Sequence, residues 1–167
     1  TPAMERAREG RSDRWITALA EDPQGYLWVG TRLGGLNRYD PVSGKFKRYM
    51  NNLTDSQSLG SNQVTSLQAD TRGIWVGTEY GLDFFDYQTE TFTHHRSSSE
   101  DPSSLSSNLV SALFKDSQGM LWVGTLNGGV NVYDETAGTF ASYKYEEDNS
   151  ASLSNNRVSS IAEGSDG

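Results

Sequence analysis

The apolar positions of this chain fall into short phrases that return at a fixed interval. Leu27-Trp28-Val29-Gly30-Thr31, Ile74-Trp75-Val76-Gly77-Thr78 and Leu121-Trp122-Val123-Gly124-Thr125 are near-copies, and their tryptophans stand 47 residues apart (28 to 75, 75 to 122). A strand-like phrase recurring every roughly 40 to 50 residues marks a repeat architecture in which each unit borrows cover from its neighbours.

Each repeat divides into four predicted strands. Strand A precedes the tryptophan phrase, at Trp15-Ile16-Thr17-Ala18-Leu19, Val64-Thr65-Ser66-Leu67, Val110-Ser111-Ala112-Leu113 and Val158-Ser159-Ser160-Ile161. A tight turn follows at Asp22-Pro23-Gln24-Gly25, Asp70-Thr71-Arg72-Gly73 and Asp116-Ser117-Gln118-Gly119. There Asp accepts backbone N–H bonds and Gly tolerates positive φ. Strand B is the tryptophan phrase. It is apolar on both faces, so it must lie between layers, and the glycine after it marks close approach of a neighbouring backbone. Strand C opens with Gly35, Gly81 or Gly129 and ends on Asp40, Asp86 or Asp134; strand D starts at Phe46, Phe92 or Phe140 and is the most polar. That gradient predicts A and B deep and D outermost.

Long polar connections then lead to the next strand A, over 50–63, 96–109 and 144–157. Each holds an Asp-centred turn, Ser-Leu and an Asn: Asp55, Ser58, Leu59, Asn62; Asp101, Ser104, Leu105, Asn108; Asp148, Ser152, Leu153, Asn156. The leucine is expected to pin the loop to the rim, with Asp and Asn bonding free backbone groups. Four short antiparallel strands per repeat, apolar on both faces, form the pattern of a β-propeller blade. The expected fold is therefore all-β: a partial β-propeller of three complete four-stranded blades (about 14–50, 62–96, 108–145) plus the first strand of a fourth at 157–162. Residues 1–13 read as a flexible lead-in and 14–167 as the propeller fragment. A seven-bladed ring would need roughly twice this length, so the native protein is expected to continue.

Composition narrows the partners. With 14 Lys and Arg against 22 Asp and Glu, the net charge of −8 repels a polyphosphate, and no basic stripe offsets it, so nucleic acid is excluded. No apolar run spans a bilayer, so any membrane attachment would run through segments outside this sequence. Cysteine is absent, which removes disulfides and thiolate metal sites.

The phrases Asp-x-x-Gly-x-Leu-Trp-Val-Gly-Thr, Gly-Gly-Leu-Asn-Arg-Tyr-Asp, Gly-x-Phe-x-x-Tyr and Ser-Leu-Ser-x-Asn-x-Val, covering about 15–167, resemble the two-component regulator propeller repeats of bacterial hybrid histidine kinases and related sensor proteins. The resemblance implies a periplasmic or otherwise extracytoplasmic sensor region built of seven-bladed propellers. An immunoglobulin-like module, a membrane helix and an intracellular kinase or other output domain would follow, and the ligand is often a carbohydrate fragment. Arg14 departs from the pattern where other repeats have Asn62, Asn108 and Asn156, and Gly164 replaces a turn Asp.

Candidate chemistry is sparse. The phrase tryptophans could stack a sugar, but their place in a doubly apolar strand makes them core, whereas Trp15 lies outside the phrase. His94 and His95, the only histidines, point to opposite faces of a strand and have no third ligand at useful spacing, so no metal site is expected. The Asp turns echo the Asp boxes of sialidase-type propellers, but the acidic residues repeat in register as turn residues and supply no convergent carboxylate pair. No Ser-His-Asp order or phosphate loop is present, so no catalytic residue and no cofactor is expected.

A binding face remains. The loops joining B to C and D to A should gather on one side, and there the repeats differ: Arg32, Glu79, Tyr80 and Asn127 are the candidate ligand residues for an oligosaccharide or other small ligand. The expected function is a non-catalytic ligand-sensing segment of a two-component-type signalling protein. The alternatives are a structural or protein-interaction propeller and a carbohydrate-active, sialidase-like enzyme fragment. Uncovered faces of the first and last blades predict self-association.

Overall fold

The computed structural model describes residues 15–164; the expected lead-in over 1–13 and Arg14 lie outside the described residues. Twelve strands and no helix occur among them, so no helix is long and apolar enough to cross a membrane. The strands are β1 (Ile16–Glu21), β2 (Leu27–Thr31), β3 (Leu36–Asp40), β4 (Lys45–Tyr49), β5 (Val64–Ala69), β6 (Gly73–Thr78), β7 (Gly81–Asp86), β8 (Phe92–His95), β9 (Val110–Lys115), β10 (Leu121–Thr125), β11 (Val130–Asp134) and β12 (Thr139–Tyr143). They form three separate antiparallel sheets, β1-β2-β3-β4, β5-β6-β7-β8 and β9-β10-β11-β12. These are three blades of an open partial propeller, with β1 beside β5 and β5 beside β9 along the inner edge.

The core lies between blades. Trp28, Leu36, Leu59, Val64, Ile74, Val76, Phe85 and Phe92 fill the first junction. Trp75, Leu82, Leu105, Val110, Leu121, Val123 and Phe140 fill the second. Strand B of the middle blade is buried at every position, as two apolar faces require. The glycine after each tryptophan admits the next blade's strand A: a Cβ on Gly30 would stand 2.5 Å from Val64 Cγ1, one on Gly77 2.7 Å from Val110 Cγ1, and one on Gly124 2.6 Å from Val158 Cγ1.

The depth order differs from the sequence expectation. Strands B and C are deepest, while β1 and β5 are largely exposed or half-buried. Strand A forms the inner edge of an open fan, so it faces the channel rather than a second layer. A bulge falls at the same point of each A–B pair, at Thr17, Thr65 and Ser111. In two of the three it aims a hydroxyl at the next blade: Thr17 Oγ1 donates to Val64 O at 2.7 Å and Ser111 Oγ to Val158 O at 2.5 Å. The expected fourth-blade strand at 157–162 thus occupies the place of the next strand A. Among the described residues it forms no ladder.

The turns behave as Asp-centred connections with one exception. Asp22 accepts Gln24 and Tyr26 N–H, Asp116 accepts Gln118 and Met120 N–H, and each takes its blade's indole N–H at 2.7 Å. The indole of Trp122, ahead of these backbone bonds, holds the Asp116 carboxyl below its usual range. In the middle blade one residue fewer separates Asp70 from Trp75. Gly73 is drawn into β6 without positive φ, and Asp70 turns to Lys115 Nζ of the next blade at 2.5 Å.

Candidate functional site

The B–C and D–A loops share one side of the fan because they are bonded to each other. Asn62 Oδ1, Asn108 Oδ1 and Asn156 Oδ1 accept the N–H groups of Asn51, Ser97 and Tyr145, closing each D–A loop on itself. The carbonyls of the same asparagines accept Gly35, Gly81 and Gly129 N–H, fixing the start of strand C. Next to these bonds, Arg32 N–H reaches Trp15 O, Glu79 N–H reaches Gln63 O and Leu126 N–H reaches Leu109 O. Ser58, Ser104 and Ser152 knot each loop internally through their hydroxyls. Leu59 and Leu105 are fully buried beneath their loops. In the third loop the turn residue in register is Asn149, whose Oδ1 accepts Ala151 N–H, not Asp148 as the sequence suggested. The loop has the same length as the other two, and the residue at the register position is Asn instead of Asp, with Asp148 its neighbour.

The four candidate residues stand at corresponding rim positions of the three blades, and all are exposed. Arg32 lies with its guanidinium 4.8 Å from the centroid of the Trp15 ring. Tyr80, 61% exposed, lies over the Arg96 guanidinium at 5.2 Å. Asn127 Oδ1 accepts a hydrogen bond from Ser107 Oγ of the adjoining loop. Among the described residues no hydrogen bond, ion pair or ring contact links these candidates across blades. Each is presented by its own blade on a rigid base.

Sequence reasoning missed the group that anchors Tyr80. Asp83, fully buried on strand C, accepts Gly60 N–H at 2.7 Å and pairs with Arg96 Nη1 at 2.9 Å and His94 Nδ1 at 2.7 Å. His94 Nε2 faces Ser56 O at 3.1 Å. Arg96 Nη2 also lies 3.2 Å from His94 Nδ1, so the histidine and the arginine share the Asp83 carboxylate. The hydrogen bond from Asp83 accordingly raises the His94 pKa above its ordinary value, ahead of the burial that opposes it. The signal was a single substitution: Asp83 stands where the other blades carry Asn37 and Asn131. Asn131 does the same loop-pinning with a neutral amide, accepting Ser106 N–H at 2.9 Å. An acid at an Asn position, with a histidine opposite on strand D and an arginine just after that strand, was the clue.

His95 faces away from His94 as the strand alternation requires, and its ring packs on Trp75, Tyr133 and Phe140. Burial lowers its pKa. Asp40, Asp86 and Asp134 each accept two backbone N–H bonds in their own turns, so these acids are structural. Trp28 and Trp75 are core residues.

Comparisons with known proteins agree with this architecture. The family model described as two component regulator propeller matches residues 10–32, 58–80 and 104–127, each copy running into or through strands A and B to the rim loop. The extracellular domain of the hybrid two component system BT3049 from B. thetaiotaomicron superposes with a TM-score of 0.77 at 28% identity, over 90% of this chain and 21% of that one. The extracellular domain of the hybrid two component system BT4673 from the same organism gives 0.72 at 28%, over 93% and 20%. The chain thus spans about a fifth of the length of these relatives. A computationally designed protein, Ika4, shares the fold at a TM-score of 0.59 and 20% identity, over 93% of this chain and 83% of that one. Comparison with curated proteins finds no match. Three copies of one family's repeat match, in blades that superpose on extracellular domains of two component systems, so the repeats of this chain are similar to those of the two component regulator propeller family.

Proposed function

We propose that this chain is a non-catalytic, ligand-sensing segment of a two-component-type signalling protein, working on the extracytoplasmic side of a membrane. One observation carries the reading. The bonds that build the rim are the same in all three blades, whereas the side chains they present (Arg32, Glu79 with Tyr80, Asn127) differ. A rigid scaffold with variable loop tips is how specificity is mounted on repeats. The location is supported by the two B. thetaiotaomicron relatives, which are extracellular domains.

An oligosaccharide fits the rim best. Exposed aromatic faces at Trp15 and Tyr80, each beside a guanidinium, offer a surface for the C–H face of a pyranose and donors for its hydroxyls. The acidic balance of the chain favours a neutral sugar over a polyanion. Binding across blades would favour one arrangement of a larger assembly over another, and a kinase or other output domain elsewhere in the protein would read that population shift.

Titration calorimetry with neutral glucan, xylan and mannan fragments tests this reading. Binding that Tyr80→Ala and Arg32→Ala each weaken, with no release of new reducing ends, supports sensing. Hydrolysis would convert the reading to a glycosidase. Failure of every fragment, with binding of a protein domain instead, would leave an interaction propeller.

A further inference from the structure

Asn127 alone among the asparagines of the chain is followed by glycine. It stands exposed at the tip of the third B–C loop, where the other two blades carry Leu33 and Tyr80. Those residues are 60% and 61% exposed although a further blade follows each, so exposure belongs to this rim position in every blade. An asparagine before glycine carries a reaction of its own. The glycine amide nitrogen, once a base has taken its proton, attacks the asparagine Cγ. A C–N bond forms, the Cγ–Nδ2 bond breaks and ammonia leaves. Water then opens the five-membered imide at one of its two carbonyls. One opening gives aspartate; the other gives isoaspartate, in which the main chain runs through Cγ and is longer by a methylene. Glycine permits the attack most readily because no side chain shields its nitrogen.

The rim holds both reacting ends. Gly128 N–H donates to the buried Thr125 Oγ1 at 2.9 Å. Asn127 Oδ1 accepts the Ser107 hydroxyl, and Ser107 Oγ in turn accepts Leu109 N–H at 3.2 Å, which ties the carboxamide to the adjoining D–A loop. Attack therefore requires that these bonds open first. The product has no room in the closed loop. A Cβ on Gly128 would already stand 2.5 Å from Ser106 Oγ and 2.9 Å from Ser107 Cβ. Gly129 N–H donates to Asn156 O at 2.9 Å and Gly129 O accepts Thr125 N–H at 3.0 Å. An extra backbone methylene between Asn127 and Gly128 would shift these partners out of register.

We propose that Asn127 is a self-modification site of the rim, held unreactive while the third B–C loop stays bonded and converted to aspartate and isoaspartate when that loop opens. Either product sets a carboxylate beside the Ser107 hydroxyl in place of a neutral carboxamide. The isoaspartate also detaches Gly129 from Asn156, and with it the start of strand C from the D–A loop. The step runs one way, so converted rims accumulate with the time the loop spends open. The other two blades, with Leu33 and Tyr80 at this position, have no such chemistry. The site does not rest on the ligand reading.

Incubation in mildly alkaline buffer, with peptide mapping by mass spectrometry, tests the site. The folded chain should convert Asn127 at least about tenfold more slowly than the same chain in urea, because loop opening must precede attack. Ser107→Ala, which frees the carboxamide, should speed conversion of the folded chain several-fold and leave the rate in urea unchanged. Thr125→Val, which frees Gly128 N–H, should act in the same direction, and circular dichroism checks that both variants are folded. Hydrogen exchange reads the consequence. Gly129 N–H should lose protection in the isoaspartate form and keep it in Asn127→Asp, which carries the charge without the longer backbone. Equal rates in the folded and unfolded chain would overturn the proposal, as would a folded Ser107→Ala chain that converts no faster than the wild type. An isoaspartate form as protected over 126–129 as the unconverted chain would overturn the effect assigned to the modification.

Discussion

The two junctions between blades share one plan and differ in chemistry. The first is lined by Trp28, Tyr49, Phe85 and Phe92, and its tryptophan is bonded to Asp22. In the second, His95 stands in the tyrosine's place, and the shortened turn sends Asp70 across the junction to Lys115 instead of to Trp75. The first is also bridged by Glu90, which meets Lys47 at 2.5 Å and Arg38 at 3.5 Å. Shape is thus held constant from junction to junction while polar bonds are exchanged. Ring packing should therefore carry more stability than any one polar bond.

The largest effect should come from the indole common to both. Trp28 is 0% exposed and sits at the centre of its cluster, so Trp28→Ala should cost about 3–5 kcal/mol, read by denaturant unfolding. Trp122, half-buried, makes the same Asp bond, but among the described residues its one ring contact is with Tyr143 of its own blade. Trp122→Ala should cost less than half as much. Equal costs would show that the tryptophan works within its own blade and not across the junction.

Gly77→Ala should come next. An added Cβ would meet Val110 Cγ1 at 2.7 Å and the hydroxyl of Ser66, and neither is the far end of a flexible chain. Overpacking of this kind costs about 1–3 kcal/mol. Gly138→Ala probes a different requirement, because nothing lies near its Cβ and only its φ of 70° is strained. Its cost should be smaller, near 1 kcal/mol. If Gly77→Ala proves the milder of the two, the blades are not packed as closely as the second junction indicates.

The repeat period and the doubly apolar tryptophan phrase made the blades legible from the sequence, because both follow directly from strand alternation and from the need for neighbours. The loop asparagines were legible for a similar reason: three copies at one spacing imply one job. Other features depended on departures from the repeat that pattern matching smooths over. Asp70-Thr71-Arg72-Gly73 reads as the same turn as the other two, yet the residue missing after Gly73 redirects Asp70 between blades. Asp83 differs from Asn37 and Asn131 by a single group, yet it gathers Arg96 and His94 beneath Tyr80. The rim residues were legible only as places where copies differ. Their side-chain partners, Trp15 for Arg32 and Arg96 for Tyr80, come from strands and loops distant in sequence.

Asp83→Asn should loosen the loop over 50–63 more than it weakens the core. The amide oxygen can still accept Gly60 N–H as Asn131 accepts Ser106 N–H, but Arg96 and His94 lose their anion. Losing these charge-assisted bonds should cost about 1–2 kcal/mol, with faster amide exchange in the loop and a Tyr80 ring that is less fixed. A variant as stable and as protected as the wild type would mean that the neutral pin is sufficient, and that the charge serves the rim alone.

The smallest expected effect is a pH dependence that separates the two histidines. Asp83 raises the His94 pKa above the ordinary 6.5, with Arg96 opposing it. The folded state thus binds that proton more tightly than the unfolded chain does. Its contribution is complete below about pH 6.5 and fades as pH rises through the raised value. Burial lowers the His95 pKa, ahead of the neighbouring Arg96 and His94 charges and against the pull of Asp83. Its contribution is present above about pH 6.5 and is lost as pH falls through the lowered value. Stability should therefore pass through a shallow maximum, with the alkaline limb belonging to the first junction's loop and the acid limb to the second junction's rings. His94→Gln should remove the alkaline limb alone, a change under about 1 kcal/mol because His94 is partly exposed. His95→Tyr, which restores the residue type of Tyr49 and Tyr143, should remove the acid limb alone. Unfolding midpoints followed across the neutral range would decide the matter, since a single variant flattening both limbs would contradict the opposed placement of the two rings.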